Sequence, residues 1–148
     1  MRVSAKAEYA CRAMLELSRC YKVLEVIQIH DIATRQDIPK KYLVQILLQL
    51  QRAGLVKSKR GAAGGYTLAK PPSEISLGDV LRTTDGPLVA IESLEEHGAG
   101  NGRRPLEAHS ALREVWQDVQ EQVSRVVDSI SFEDICRRAD KSTMMYYI

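Results

Sequence analysis

The sequence predicts a mainly α-helical chain with one small β-hairpin, divided into a first unit over residues 1–86 and an arm over residues 87–148. Three observations predict it. Leu43, Ile46, Leu47 and Leu50 form an apolar stripe at helical spacing, directly before a glycine-hinged pair of short strands. Two further helical patterns precede that stripe. From about residue 106 to residue 130, apolar side chains return every three or four positions without a break. Helix, short turn, helix and hairpin in this order make a winged helix-turn-helix, here followed by a long C-terminal dimerisation helix.

The first helix starts at Ser4, a favourable N-cap, and runs to near Tyr21 with Ala10, Met14 and Leu17 facing inward. Residues 22–28 read as a short extended piece able to join the hairpin as a third strand. Ile29 to Gln36 reads as a short helix with Ile32 and Ala33 inward, and Asp37 and Ile38 make the turn. Pro39 stands at the start of the next helix, where its missing N–H costs nothing. Gly54 stops that helix. Leu55 and Val56, then Tyr66, Thr67 and Leu68, are the strands, with Lys57, Lys59, Arg60, Gly61, Gly64 and Gly65 between them.

Pro71 and Pro72 end the hairpin. Ser76 and Asp79 make a capping box for a helix through Leu81, and Asp85-Gly86-Pro87 turns the chain. His97 to Pro105 is glycine-rich and basic and reads as a mobile loop. The helix from Leu106 to Ile130 is a rod of roughly 35 Å at ~1.5 Å per residue. Its stripe is Leu112, Val115, Val119, Val123, Val126 and Ile130. Such a stripe on a rod is satisfied by a second copy of itself or by folding back on its own domain, and the dimer is the expectation. Ser131 and Asp134 cap one last short helix, before an apolar tail from Met144 to Ile148.

An apolar content of 45% supports a packed core. No apolar run approaches the roughly 18 residues of a membrane span, and Met1 leads into a charged amphipathic segment, so a cytoplasmic chain without membrane contact is expected. Cys11, Cys20 and Cys136 are odd in number and far apart, which suggests no disulfide framework and a reducing compartment. Cys11 and Cys20 fall out of phase on one helix and cannot share a metal, while Cys20, near the helix end, is an oxidisable thiol if exposed. Residues 1–70 hold 13 Lys and Arg against 5 Asp and Glu; residues 71–148 hold 8 against 14. A basic first half beside an acidic second half points to a polyanion, or to a charge gradient on a solvated surface. No nucleophile has a base at recognisable spacing and no phosphate loop or zinc signature is present, so an enzyme is not expected.

A helix and a flexible cationic ribbon side by side match the two grooves of a duplex. Lys40, Lys41, Tyr42 and Gln45 occupy the first turns of the second helix of the pair. Lysine suits phosphate or guanine, tyrosine a phosphate, and glutamine an adenine edge. Arg60 at the hairpin tip, with Lys59 beside it, suits the minor groove or a phosphate. Gly64 and Gly65 permit positive φ and a close approach of backbone to DNA. Arg2 and Lys6 are further candidates for phosphate contact.

The stretches SAKAEYACRAMLEL, DIATRQDIPKKYLVQIL and LVKSKRGAAGGYTLAKPPSEISLGDVL, with DSISFEDI after the long helix, resemble the family of bacterial regulators that includes IscR, NsrR and CymR. The resemblance covers about nine-tenths of the chain and implies a homodimer on a palindromic operator in double-stranded DNA. Many members hold an iron–sulfur cluster on three cysteines before the long helix. This chain has no cysteine between Glu92 and Ala108, so no cluster and no other cofactor is expected. His97, His109 and Glu8 remain as a set for a simple metal ion, or as surface residues. Without the cluster cysteines, the chain looks most like the cysteine-metabolism repressor CymR. The ending Tyr146-Tyr147-Ile148 resembles that member too, and implies that Tyr147 and Ile148 enter O-acetylserine thiol-lyase (cysteine synthase); docking of the tail on the dimer is the alternative. Val44 departs from relatives that often carry Glu there, and suits a thymine methyl or no contact.

Overall fold

A computed structural model describes residues 1–95 and 107–146. Helix α1 spans Ala5–Cys20. The Ser4 hydroxyl oxygen accepts from the Ala7 N–H at 3.0 Å, the predicted cap. Ser4 is itself gripped: its N–H donates to Asp85 at 2.9 Å, and its hydroxyl donates to the same carboxylate. The start of α1 and the end of a helix eighty residues later are thus one hydrogen-bonded unit. Ala7, Ala10 and Ala13 are fully buried on α1, and their small side chains let neighbouring helices approach closely.

The segment after α1 differs from the extended piece expected. Tyr21–Val23 is a 3₁₀ turn, and Leu24 closes it with a left-handed backbone at φ 52°. The helix end tightens rather than uncoiling, which keeps its last carbonyls bonded. The third strand shrinks to one residue: Ile27 and Tyr66 exchange backbone hydrogen bonds of 3.0 and 2.8 Å.

Helices α2 (Ile29–Gln36) and α3 (Lys40–Arg52) stand where the pattern placed them. Asp37 takes a left-handed conformation between them, and the Ile38 N–H bonds back to the Ala33 carbonyl at 2.9 Å. This Schellman arrangement satisfies the end of α2, and Asp tolerates the left-handed well better than a branched residue. Strands β1 (Val56–Lys59) and β2 (Gly65–Leu68) pair antiparallel, Val56 opposite Leu68 and Lys59 opposite Gly65.

Helix α4 (Leu77–Asp85) has the predicted capping box, but extends four residues past Leu81. The Thr83 and Thr84 hydroxyls bond to carbonyls one turn back, and Gly86 at φ 76° ends the helix. After a single turn, α5 (Glu92–Glu95), come α6 (Glu107–Asp128) and α7 (Phe132–Tyr146). Helix α7 has fifteen residues and is not the short helix expected. No Gly or Pro follows Pro105, so nothing local breaks it. The Ser131–Asp134 cap is present, with the Asp134 N–H at 3.1 Å from the Ser131 hydroxyl. The Ser131 N–H and hydroxyl both donate to the Asp134 carboxylate, at 2.9 and 2.8 Å, and these bonds, with Arg137, hold that carboxyl below its ordinary value.

One core joins these elements. Met14, Leu17, Ile32, Leu43, Ile46, Leu47, Leu50, Val56, Ile75, Val80 and Phe132 are buried together. Phe132, at 0% exposure, comes from beyond residue 86 and closes the side of the core under α1. It is held there by the Phe132 N–H to Ile75 carbonyl bond of 2.9 Å and the Leu77 N–H to Ile130 carbonyl bond of 2.8 Å. Replacing Phe132 by Ala is expected to cost about 3–5 kcal/mol in urea unfolding, since a fully buried ring leaves a cavity; a loss under 1 kcal/mol contradicts this packing.

Candidate nucleic-acid interface

The site is built on the side of α3 that the core does not use. Leu43, Ile46, Leu47 and Leu50 are all at 0% exposure, so helical geometry turns Lys41, Val44, Gln45, Leu48 and Arg52 outward together. Lys40 and Lys41 sit at the positive end of the helix dipole, which disfavours cations in isolation and suits an approaching anion. Pro39 offers no side-chain cap there.

Two attachments hold α2 and α3 on α1. Glu16 on α1 is buried at 7% exposure; Arg35 and Gln36 of α2 donate to its two carboxylate oxygens at 2.9 and 2.8 Å. The second attachment is aromatic. Tyr9 of α1 stacks on Tyr42 of α3, with ring centres 6.4 Å apart and planes 25° apart. The Arg12 guanidinium lies 5.6 Å over the Tyr9 ring and the Lys41 ammonium 5.2 Å over the Tyr42 ring. Cations over ring faces are attracted by the ring quadrupole. Tyr9 and Arg12 were missed by sequence reasoning; the signal was their three-residue spacing after Lys6, which puts all three on one face. Arg2 is exposed ahead of that helix.

The hairpin is anchored to α3 where Gln51 donates to the Ser58 hydroxyl at 3.2 Å. Its tip, Arg60 to Ala63, is exposed. The two glycines that follow have a reason beyond the one expected. Positive φ is found at Gly61, 111°, and at Gly65, 159°, but not at Gly64. At Gly64 a Cβ would stand 2.2 Å from the Lys59 carbonyl oxygen, and at Gly65 2.3 Å from that of Ile27. The close approach is therefore to the protein's own backbone.

Charge pairing is uneven over the molecule. Among the described residues, no ion pair engages Arg2, Lys6, Lys40, Lys41, Arg52, Lys57, Lys59 or Arg60, whereas Arg82, Arg125 and Arg137 of the later helices all meet carboxylates. The cations of the α3–hairpin face remain available to a partner.

On α6, Leu112, Val115, Val119 and Val126 are exposed at 53%, 52%, 39% and 58%, and Val123 is half-buried. Trp116, at 40%, joins this stripe and was overlooked. The helix ends at Asp128, so Ile130 stands beyond it, half-buried at the junction with α7. Val127 turns the other way and packs with Ala7 and Leu81, docking the end of α6 on α1 and α4. Tyr147 and Ile148 lie outside the described residues, as does the segment from 97 to 105.

Cys11 is pushed up to about 11 by burial, then by Glu8 and Asp85. Cys20 and Cys136 are raised as well, first by burial. Cys20 is half-buried rather than freely exposed. His97 lies outside the described residues; His109 and Glu8 are exposed, and among the described residues no three His, Cys, Asp or Glu side chains gather as a metal site.

Residues 3–138 match the family description "Rrf2: Iron-dependent Transcriptional regulator". The chain is 40% identical to a putative HTH-type transcriptional regulator of Mycobacterium tuberculosis, over 91% of this chain and 81% of that protein. It is 33% identical to the transcriptional regulator CymR of Bacillus subtilis over the full length of both. The solved structure of that CymR, described as the global cysteine regulator, superposes with a TM-score of 0.75 and covers 93% of this chain and 98% of its own. The IscR of T. potens has the same TM-score at 31% identity, covering 99% of this chain and 97% of its own. An iron–sulfur cluster does not fit the donor set before α6. The chain has no thiol between Cys20 and Cys136, and those two stand on α1 and α7.

Because a thiolate is the nucleophile, the raised Cys11 should resist alkylation. In native protein at pH 7.5, iodoacetamide is expected to leave Cys11 unmodified while the urea-unfolded chain labels at all three cysteines; rapid native labelling of Cys11 in a peptide map contradicts this burial.

Proposed function

The chain belongs to the Rrf2 family of transcriptional regulators, and we propose that it works as a homodimer that binds a palindromic operator in double-stranded DNA and represses genes of sulfur or cysteine metabolism without an iron–sulfur cluster. The relatives are transcription regulators, not enzymes. Among the described residues no helix is long and apolar enough to cross a membrane.

The observation that carries the DNA reading is the unpaired cationic face. Among the described residues Arg82, Arg125 and Arg137 meet carboxylates, whereas Lys40 and Lys41 on the first turn of α3 and Lys57, Lys59 and Arg60 along the hairpin form no ion pair. In the proposed complex α3 lies in the major groove. Lys40, Lys41 and Tyr42 hold phosphates at its mouth, and Gln45 reaches an adenine edge. Lys59 and Arg60 follow the hairpin to the minor groove or the adjacent backbone, with Gly64 and Gly65 letting the hairpin bend back tightly. Lys6 and Arg2 add phosphate contacts from the α1 side. Residues 1–86 supply the reading surface and residues 87–148 the pairing surface.

Two copies are proposed to meet through α6, with Leu112, Val115, Val119, Val123 and Val126 at the seam, Trp116 beside them and Ile130 at its edge. The support is the exposed stripe from Leu112 to Val126, about 21 Å of helix at ~1.5 Å per residue. Two-fold symmetry then matches a palindromic site. The sulfur reading rests on the likeness to CymR over the whole chain and on the missing cluster thiols. Binding of O-acetylserine thiol-lyase through Tyr147 and Ile148 rests on the resemblance of the tail alone.

Arg60→Ala is expected to weaken operator binding by about 1–3 kcal/mol in an anisotropy titration; an unchanged affinity removes the hairpin from the interface. With about six phosphates neutralised per dimer, the log–log salt slope should be roughly −5, and a slope near zero overturns a DNA-binding function. Val119→Asp should yield monomers in sedimentation and lose about 100-fold or more of palindrome affinity, because two linked half-sites no longer cooperate; an intact dimer moves the seam elsewhere. Stoichiometric iron in protein purified without oxygen overturns the cluster-free reading.

A further inference from the structure

The outward face of α3 carries two side chains that a solvated or purely phosphate-binding face does not need. Val44 and Leu48 are 48% and 45% exposed. They stand one turn apart, opposite the buried set Leu43, Ile46, Leu47 and Leu50, so Leu48 lies near the centre of the exposed face. Lys41 precedes the pair by one turn, Arg52 follows Leu48 by one turn, and Gln45 lies beside them. The result is a short apolar strip bounded by cations at both ends.

We infer that Val44 and Leu48 form a methyl-reading strip, whose ligand is the C5-methyl group of pyrimidines on the floor of the major groove. This rests on the proposed placement of α3 in that groove. The charge pattern selects the occupant. An apolar protein surface laid on the strip would strand Lys41 and Arg52 against it. A duplex offers phosphates on both walls of the groove for those two cations, and between the walls the C5-methyl is the apolar group that base edges present. The spacing agrees as well. Four helical residues advance about 6 Å, close to two base-pair steps of ~3.4 Å. Each half-site therefore carries two methyl-bearing pyrimidines within two or three successive positions, one under Val44 and one under Leu48. The strip sets sequence preference, while the cations set most of the affinity.

The test uses the full-length protein and an operator selected from a random duplex pool. Each thymine is replaced in turn by deoxyuridine, which removes the methyl and nothing else. At one or two positions per half-site the affinity should fall about four-fold, the effect of roughly 0.8 kcal/mol for one buried methyl-sized group. In Val44→Ala and Leu48→Ala proteins, both exposed positions that leave the core intact, the uracil effect should vanish at the matching position while the salt slope stays unchanged. Comparing cytosine with 5-methylcytosine at the same positions identifies the methyl source: a gain on methylation shows that both methylated pyrimidines are read, and equal binding confines the reading to thymine. Wild-type affinity unchanged by uracil at every position overturns the inference while leaving DNA binding intact, as does a uracil effect that persists in both variants. A protein that selects no duplex overturns this inference together with the function it rests on.

Discussion

The packing of α3 on α1 is the constraint from which the rest follows. Ala10 and Ala13 leave room on α1 for close neighbours, and Leu43, Ile46, Leu47 and Leu50 share one core with them and bury one side of α3 completely. A thirteen-residue helix is marginal alone in water, so its stability comes from this contact. Once that side is committed, the opposite side is free to be chosen for a partner rather than for the fold. It tolerates two lysines at the wrong end of the dipole and two apolar residues in solvent because the buried side alone holds the helix.

Everything that aims the interface is attached to the same pair. Glu16 fastens α2, the Tyr9–Tyr42 stack fastens the first turn of α3, and Gln51 fastens the hairpin to its far end. These attachments make the distance between α3 and the hairpin tip a property of the scaffold. A duplex read by both elements requires that fixed distance, since a contact misplaced by an ångström loses most of its value. Phe132 and the Ser4–Asp85 grip then bind the later helices to the same body, so the exposed stripe of α6 is positioned relative to α3 as well.

Legibility in the sequence followed the range of the forces involved. The α3 stripe, the capping boxes at Ser76 and Ser131 and the punctuation at Gly54 and Gly86 are local signals, and each appears in the structure where its residues lie. The misjudged elements depended on neighbours far along the chain. Residues 22–28 were expected to be extended, but Ile27 alone finds a partner in Tyr66. Helix α7 was expected to be short, because nothing in a local window shows that Phe132 anchors it. The stripe on α6 was drawn through Ile130, whereas the helix stops at Asp128 and Val127, beside it in sequence, is the residue turned to the core. Ring partners such as Tyr9 and Tyr42, thirty-three positions apart, leave no trace in periodicity.

By itself the sequence determined which elements form and where cations concentrate, because helix periodicity, caps and glycines act within a few residues. It also determined that no thiol stands between Glu92 and Ala108, just before the long helix. Only the tertiary structure decided which cations are left without internal partners, why Gly64 and Gly65 must be glycine, and which face of α3 carries Val44 and Leu48. Those outcomes depend on distances between residues remote in the chain, and such distances exist only once the core has closed.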